Sequence, residues 1–432
     1  MEVVVTGIGL ASALGRLEPS WQSLLQGKSG IQPHQPFPDF PSRPLALIGH
    51  TPTSLETLTE LVVAEAIQDA GLVLPLPDCG IVIGSSRSCQ ASWERLAKRL
   101  QTEGWGQRDS PNSFQSHSGA LLFPEVASGI QRHPIPNPQS PIPRFENWLD
   151  TLPNYAAIAT ARQVGSRASV LAPMAACATG IWAIAQGVEL IQSGQCQQVL
   201  AGAVEAPITP LTLAGFDKMG ALARTGSYPF DQNREGLVLG EGGAVLVLES
   251  AKSARERSAS IYGKVLGFGL TCDAYHVSAP EPGSKSGIGK RGTMPDAVRK
   301  ATLASITAVK QSLERSHLSP TDIDYIHAHG TGTQLNDHNE AQLIQWLFPH
   351  RVPVSSTKGA TGHTLGASGA LGAAFCLMAL KYQRLPPCVA LKEPAFELDF
   401  VTTPRQGEIN SVLCFSFGFG GQNAVMALGQ MP

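Results

Sequence analysis

The sequence predicts a layered α/β protein. Three observations carry that expectation. Short apolar runs alternate with segments of helical spacing through both halves of the chain. Of the 432 residues, 43% are hydrophobic and only 15% are charged. The 44 glycines suit tight turns and closely packed backbone. This composition excludes intrinsic disorder. Lys and Arg number 32 against 34 Asp and Glu, a formal charge of −2, which offers no footprint for nucleic acid or an anionic membrane. The eight cysteines show no CxxC spacing, which argues against a zinc ribbon, and a chain this long is not expected to rely on disulfides. The first residues run directly into a strand without a leader-like segment, so the expected location is cytoplasmic.

Residues 2–6 form the first strand, closed by Gly7-Ile8-Gly9. A dinucleotide fingerprint would need a third glycine where Ser12 stands, so these residues read as a buried strand turning into a loop. Residues 55–70 have helical spacing and residues 80–84 read as a buried strand. A stretch rich in Pro, Ser and Gln, about 104–143, reads as a loop or insertion. A helix over 154–164, a strand over 169–175 and a helix from Ala178 to Ser193, capped by Gly194, follow. Strands are expected at 199–204 and 242–248. The second half alternates in the same way, with strand 262–268, helix 297–314, strand 325–328, helix 337–348 and strands 412–416 and 424–428. Residues 362–380 lack acidic and basic side chains and are long enough to span a bilayer. Their four glycines and His363 favour a buried core helix instead.

Cys177 lies in Met174-Ala-Ala-Cys-Ala-Thr-Gly180, between an expected strand and helix. A thiol there meets unpaired N–H groups, which favour thiolate and can receive an oxyanion. An inert buried thiol fits the same position equally well. His329 in His327-Ala-His-Gly-Thr-Gly-Thr333 and His363 in Thr357-Lys-Gly-Ala-Thr-Gly-His363 both stand at strand or helix junctions amid Gly and Thr. Such surroundings let backbone approach a ligand closely. Lys358 has no nearby charge in the sequence and needs a partner or a role.

The chain resembles the β-ketoacyl-acyl-carrier-protein synthases of the elongating type. The resemblance rests on residues 3–7, Ala176-Cys-Ala-Thr-Gly180, Pro229-Phe-Asp231 with Arg234-Glu-Gly236, Gly240-Glu-Gly242, residues 273–276, His329-Gly-Thr-Gly-Thr333, Ser356-Thr-Lys358 with Gly362-His363, and Phe417-Gly-Phe-Gly-Gly421 with Asn423. It implies a thiolase-like five-layer αβαβα fold of two similar halves. Residues 1–255 would carry the nucleophile and the insertion, and 256–432 the two histidines. It implies decarboxylative Claisen condensation of a Cys177-bound acyl group with malonyl-acyl-carrier protein, with His329 and His363 donating to the enolate. The amides of Cys177 and Phe419 would form the oxyanion hole. Thr331, Thr333, Phe417 and Phe419 would contact the phosphopantetheine arm, which arrives on the carrier. Lys358 would give electrostatic support, with Glu340 and Asp337 behind it. No cofactor or metal is implied, and a homodimer is, with strand 199–204 as a buried interface edge.

Several positions depart from the family pattern. Gly372 stands where a glutamate is usual, His327 where asparagine is usual, and Cys414-Phe415 where Ser-Asn is usual. The expectation is therefore a repacked site without a bound cation, in which Lys358 reaches Glu340. Lys218 and Arg224 are the basic candidates for meeting an acidic carrier. A chain-length-setting partner subunit without activity is the alternative reading, opposed by the retained Cys177 and histidines. A Cys/His hydrolase leaves Lys358 and the Gly-Thr loops unexplained.

Overall fold

The computed structural model describes residues 1–102, 151–276 and 303–431. The chain divides into a large unit, residues 1–88 and 153–432, and a small one, 89–152, whose described part is mainly the helix Gln90–Thr102. The stretch near 104–143 and the expected helix start at 297 lie outside the described residues.

Five strands of the first half are β1 (Val3–Ser12), β2 (Gly80–Gly84), β3 (Val170–Leu171), β4 (Gln198–Glu205) and β5 (Gly242–Ser250). They lie in the order β1-β5-β4-β2-β3, the first two pairings antiparallel and the last two parallel. In the second half are β6 (Gly263–Cys272), β7 (Tyr325–His327), β8 (Pro353–Ser355), β9 (Asp399–Phe400), β10 (Ser411–Gly418) and β11 (Gln422–Gly429). Their order is β6-β11-β10-β7-β8, with the same run of antiparallel and parallel pairings, and β9 adds a parallel edge. The halves join where residues 3–5 of β1 pair with residues 263–265 of β6. The doubling expected of the fold is present in strand order, where no repeat of residue identity shows it.

Among the helices are α1 (Leu55–Asp69), α2 (Tyr155–Val164), α3 (Thr179–Gln192), α4 (Pro210–Lys218), α5 (Leu303–Ser316), α6 (Gln334–Leu347), the single turn α7 (Lys358–Thr361) and α8 (Ser368–Tyr382). Helices α3 and α8 touch strands of both halves, while α1 packs on β1 and α5 on β6 and β11. This is the five-layer thiolase-like arrangement. Every residue of α8 from Ser368 to Leu380 is buried, so the charge-free run forms the core.

Gly9 and Gly269 each stand six residues after the start of β1 and β6. A Cβ on Gly9 would lie 1.8 Å from the Val62 carbonyl oxygen of α1, and one on Gly269 1.9 Å from that of Ala308 in α5. The Gly-x-Gly of β1 therefore seats a helix on a sheet, and β6 repeats the device.

Two expectations need correction. Strand 199–204 is no edge: β4 is paired on both sides, by β5 and β2. The expected strand 169–175 is cut to β3, because Pro173 lacks the N–H a strand ladder needs. Among the described residues this short strand is the edge of the first half's sheet, where Leu171 within it and Met174 just beyond it stay exposed.

Gly9→Ala or Gly269→Ala must push a helix off its sheet and should destabilise the protein by about 1–3 kcal/mol or more. Gly215 of α4 has open space around its Cα. Gly215→Ala should therefore be neutral or stabilising by up to roughly 1 kcal/mol. Urea unfolding of the three variants checks this, and equal effects would contradict the packing account.

Candidate active site

Cys177 immediately precedes Ala178, the N-cap of α3. The turn that presents it places Ala176 at φ 47°, a left-handed conformation that costs an alanine energy and is held by the surrounding packing. Gly180 in the first turn of α3 lets α8 come close: a Cβ there would lie 2.4 Å from the backbone nitrogen of Ala370. The two central helices thus meet at their N-terminal ends, which brings the segment before α3 beside the segment before α8. Cys177 belongs to the first and His363 to the second.

The His363 backbone is clamped like a strand, its N–H donating to the Val238 carbonyl at 2.6 Å and its carbonyl accepting from Gly240 N–H at 3.0 Å. The Gly240-Glu-Gly242 motif therefore serves the site through its backbone. On the ring, Nδ1 accepts from Leu365 N–H at 3.2 Å and lies 2.9 Å from the Ser368 hydroxyl. His329 follows β7, and its Nδ1 lies 3.4 Å from the Lys358 Nζ. Each Nδ1 thus faces a donor, which leaves the proton on Nε2 of both rings. The rings stand edge to face, centroids 5.4 Å apart.

Burial governs protonation here. It holds both histidines well below the usual imidazole range, with the Lys358 charge adding to the effect. Both rings are neutral N–H donors at neutral pH. Burial also pushes the Cys177 thiol up to about 11, against the pull of Lys358 and of the Phe419 N–H. The thiolate expected from the helix terminus is therefore not the resting form, because desolvation outweighs the local dipoles.

Lys358 departs from expectation as well. Its ammonium does not pair with Glu340 but donates to the His329 carbonyl. Glu340 is already engaged, its oxygens accepting from His329 N–H at 2.6 Å and Gly330 N–H at 2.7 Å. Asp337 takes the amides of Thr331 (3.0 Å), Gly332 (3.2 Å) and Phe230 (2.7 Å). Two buried carboxylates of α6 thereby shape the loop that carries His329. Repacking around the departures is evident: a Cβ on Gly372 would lie 2.8 Å from the Cys414 sulfur and 2.9 Å from the His327 ring. His327 turns its Nε2 to the Thr357 hydroxyl at 3.1 Å, and Phe415 joins the core.

Cys177, His329, His363, Thr331, Thr333, Phe417, Phe419 and Glu340 line one cavity. Thr331 and Thr333 join hydroxyls at 2.9 Å, and Phe419 stacks on Phe216 with centroids 6.0 Å apart. Lys218 and Arg224 are exposed on either side of Ala221, another lining residue. Cys177, His329 and His363 offer ligand-type atoms within 4.8 Å of one another. A metal would need both Nε2 atoms stripped of the protons their Nδ1 partners place there, so the donor set suits an anion. Reading of the sequence missed Phe216, Ser368 and the buried Glu205. Glu205 closes β4, and its position at a strand end near the chemistry was the available signal.

The family models described as the β-ketoacyl synthase N-terminal and C-terminal domains match residues 52–254 and 262–392. A 3-oxoacyl-acyl-carrier-protein synthase 2 from Synechocystis is 31% identical, over 98% of this chain and 97% of the relative. Its namesake from Coxiella burnetii is 30% identical over 99% and 98%. A type II polyketide ketosynthase, solved with its acyl-carrier protein and bound to the hexaketide, has a TM-score of 0.82 at 25% identity. That match covers 100% of this chain and 99% of the other.

With a thiol pushed up to about 11, alkylation of Cys177 by iodoacetamide should climb roughly tenfold per pH unit from 7 to about 10. Peptide mass spectrometry reads it, with the exposed Cys272 as reference in the same sample. A rate that levels off at or below pH 8 would show that the thiol is not raised.

Proposed function

This chain belongs to the β-ketoacyl synthase family, and we propose that it catalyses decarboxylative Claisen condensation of a Cys177-bound acyl group with malonyl-acyl-carrier protein. The product is a fatty acyl or polyketide-like chain two carbons longer. One observation carries the reading: a buried thiol and one ring nitrogen from each of two neutral imidazoles lie within 4.8 Å of one another in one cavity, with both Nδ1 atoms facing donors.

The sulfur of Cys177 attacks the acyl-carrier thioester carbonyl. The new S–C bond forms as the carrier S–C bond breaks, and the thiol proton ends on the departing pantetheine sulfur. The Phe419 N–H, which pulls the thiol toward thiolate, and the Cys177 amide would hold the oxyanion. Malonyl-carrier then enters, its arm beside Thr331, Thr333 and Phe417. Loss of carbon dioxide leaves an enolate whose oxygen takes the two Nε2–H bonds. The enolate carbon attacks the acyl-cysteine carbonyl, the sulfur departs and takes a proton from water to regain the resting thiol, and the β-ketoacyl group remains on the carrier. Neutral rings suit this role, because they donate without protonating the carbanion. Lys358 acts from behind by holding the His329 carbonyl. No metal or cofactor enters these steps.

The intact triad opposes the chain-length-setting alternative. The exposed side chains beside β3 support a homodimer joined at that edge, and the buried α8 accords with a soluble, cytoplasmic protein. Sedimentation should then give about twice the 45.6 kDa chain mass; a monomer at micromolar concentration would remove the dimer.

His363→Ala should slow carbon dioxide release from malonyl-carrier by about 10²–10³-fold, the usual loss for one oxyanion donor, while acyl loading changes less. Cys177→Gln should abolish acyl loading. Normal loading of that variant, seen as an acyl adduct by intact mass, would sink the assignment, and steady release of free acid by the unmodified protein would favour hydrolysis.

A further inference from the structure

The loop after β2 carries Arg87, and a buried carboxylate fixes its backbone. Glu205 accepts from Arg87 N–H at 2.9 Å, from Ser86 N–H at 2.8 Å and from Gly366 N–H at 3.0 Å. The same side chain thus holds the Arg87 loop and the segment just after His363. The half-buried guanidinium of Arg87 lies over the Phe216 ring, 5.4 Å from its centroid. Phe216 lines the cavity, stacks on Phe419 and shares an apolar cluster with Cys177, Leu237 and Leu239. Among the described residues this guanidinium meets no carboxylate and no hydrogen-bond acceptor. Its charge reaches the Cys177 thiol, where it favours the thiolate.

An arginine so placed holds five N–H donors directly behind Phe216, a wall of the cavity that opens on Cys177. A saturated chain packed there strips water from those donors and returns nothing. A chain carrying a carbonyl or carboxylate oxygen replaces the lost water. We infer that Arg87 is a specificity-determining residue, selecting acyl groups that carry an oxygen acceptor over saturated chains of the same length. This rests on the proposed acylation of Cys177, and it names the substrate class of that site.

The test measures acylation of Cys177 by octanoyl, 3-oxo-octanoyl and 7-carboxyheptanoyl pantetheine thioesters, read by intact mass. The unmodified protein should favour at least one oxygenated chain by about tenfold or more. Arg87→Leu should erase that preference, and Arg87→Lys should retain part of it, chiefly for the carboxylate. The keto and carboxylate arms tell which oxygen is read. An unchanged ratio in Arg87→Leu, or a preference of the unmodified protein for the octanoyl group, would overturn the inference. Loss of all loading in one variant alone is resolved by the other, since both lack the guanidinium. If none of the three thioesters acylates Cys177 in any protein, the condensation reading fails and the selectivity falls with it.

Discussion

Glu340 accepts the backbone N–H of His329 and Lys358 donates to the carbonyl of the same residue, so one imidazole hangs from a backbone gripped on both sides of its Cα. Both gripping groups are buried, where an unpartnered charge is costly. Each therefore needs the peptide as much as the peptide needs it. The loop from His329 to Thr333 could not hold its shape without the two carboxylates of α6, and the Nδ1 of His329 faces the ammonium that holds its carbonyl. Ring orientation, tautomer and the floor of the cavity all follow from this arrangement.

The larger frame brings the parts together. Each half of the chain supplies one central helix, and close contact at Gly180 and Ala370 sets their N-terminal ends side by side. Cys177 comes from one half, and His329 and His363 from the other. The nucleophile and the two donors thus need both sheets in place, and the connection between β4 and β5 reaches across to clamp His363 through Val238 and Gly240. The glycines at matching positions of β1 and β6 show that the halves solve the same packing problem in the same way.

Much of this was legible in the sequence, and the failures share a cause. Cys177, His329, His363 and the Thr331–Thr333 loop stood out because glycines and threonines around them make little sense as ordinary core. Helix α8 was legible because an uninterrupted apolar run of its length has few other uses. The doubled architecture was legible as two similar runs of strands and helices, although no repeat of residues carried it and its proof lies in strand order and glycine spacing. The partner of Lys358 was misjudged because a carboxylate on a helix attracts attention, whereas a backbone carbonyl has no letter in the sequence. The direction of the Cys177 shift was missed because burial is a property of the assembled layers, while the helix terminus is local. Arg87 gave no signal at all: an arginine in a Ser-rich turn reads as solvated until Phe216 is found beneath it.

Strand β1 is mostly apolar and buried along its whole length, yet its long antiparallel neighbours are β5 and β6. Thr6 finds its hydrogen-bond partner in Glu249, 243 residues later. At a synthesis rate of about 5–20 residues per second, β1 waits roughly 10–50 seconds for that partner to be made. During this interval it is an unpaired, aggregation-prone edge. The symmetry that builds the site thus makes the nascent chain a natural client for chaperones, and strand β1 the segment they would have to shield.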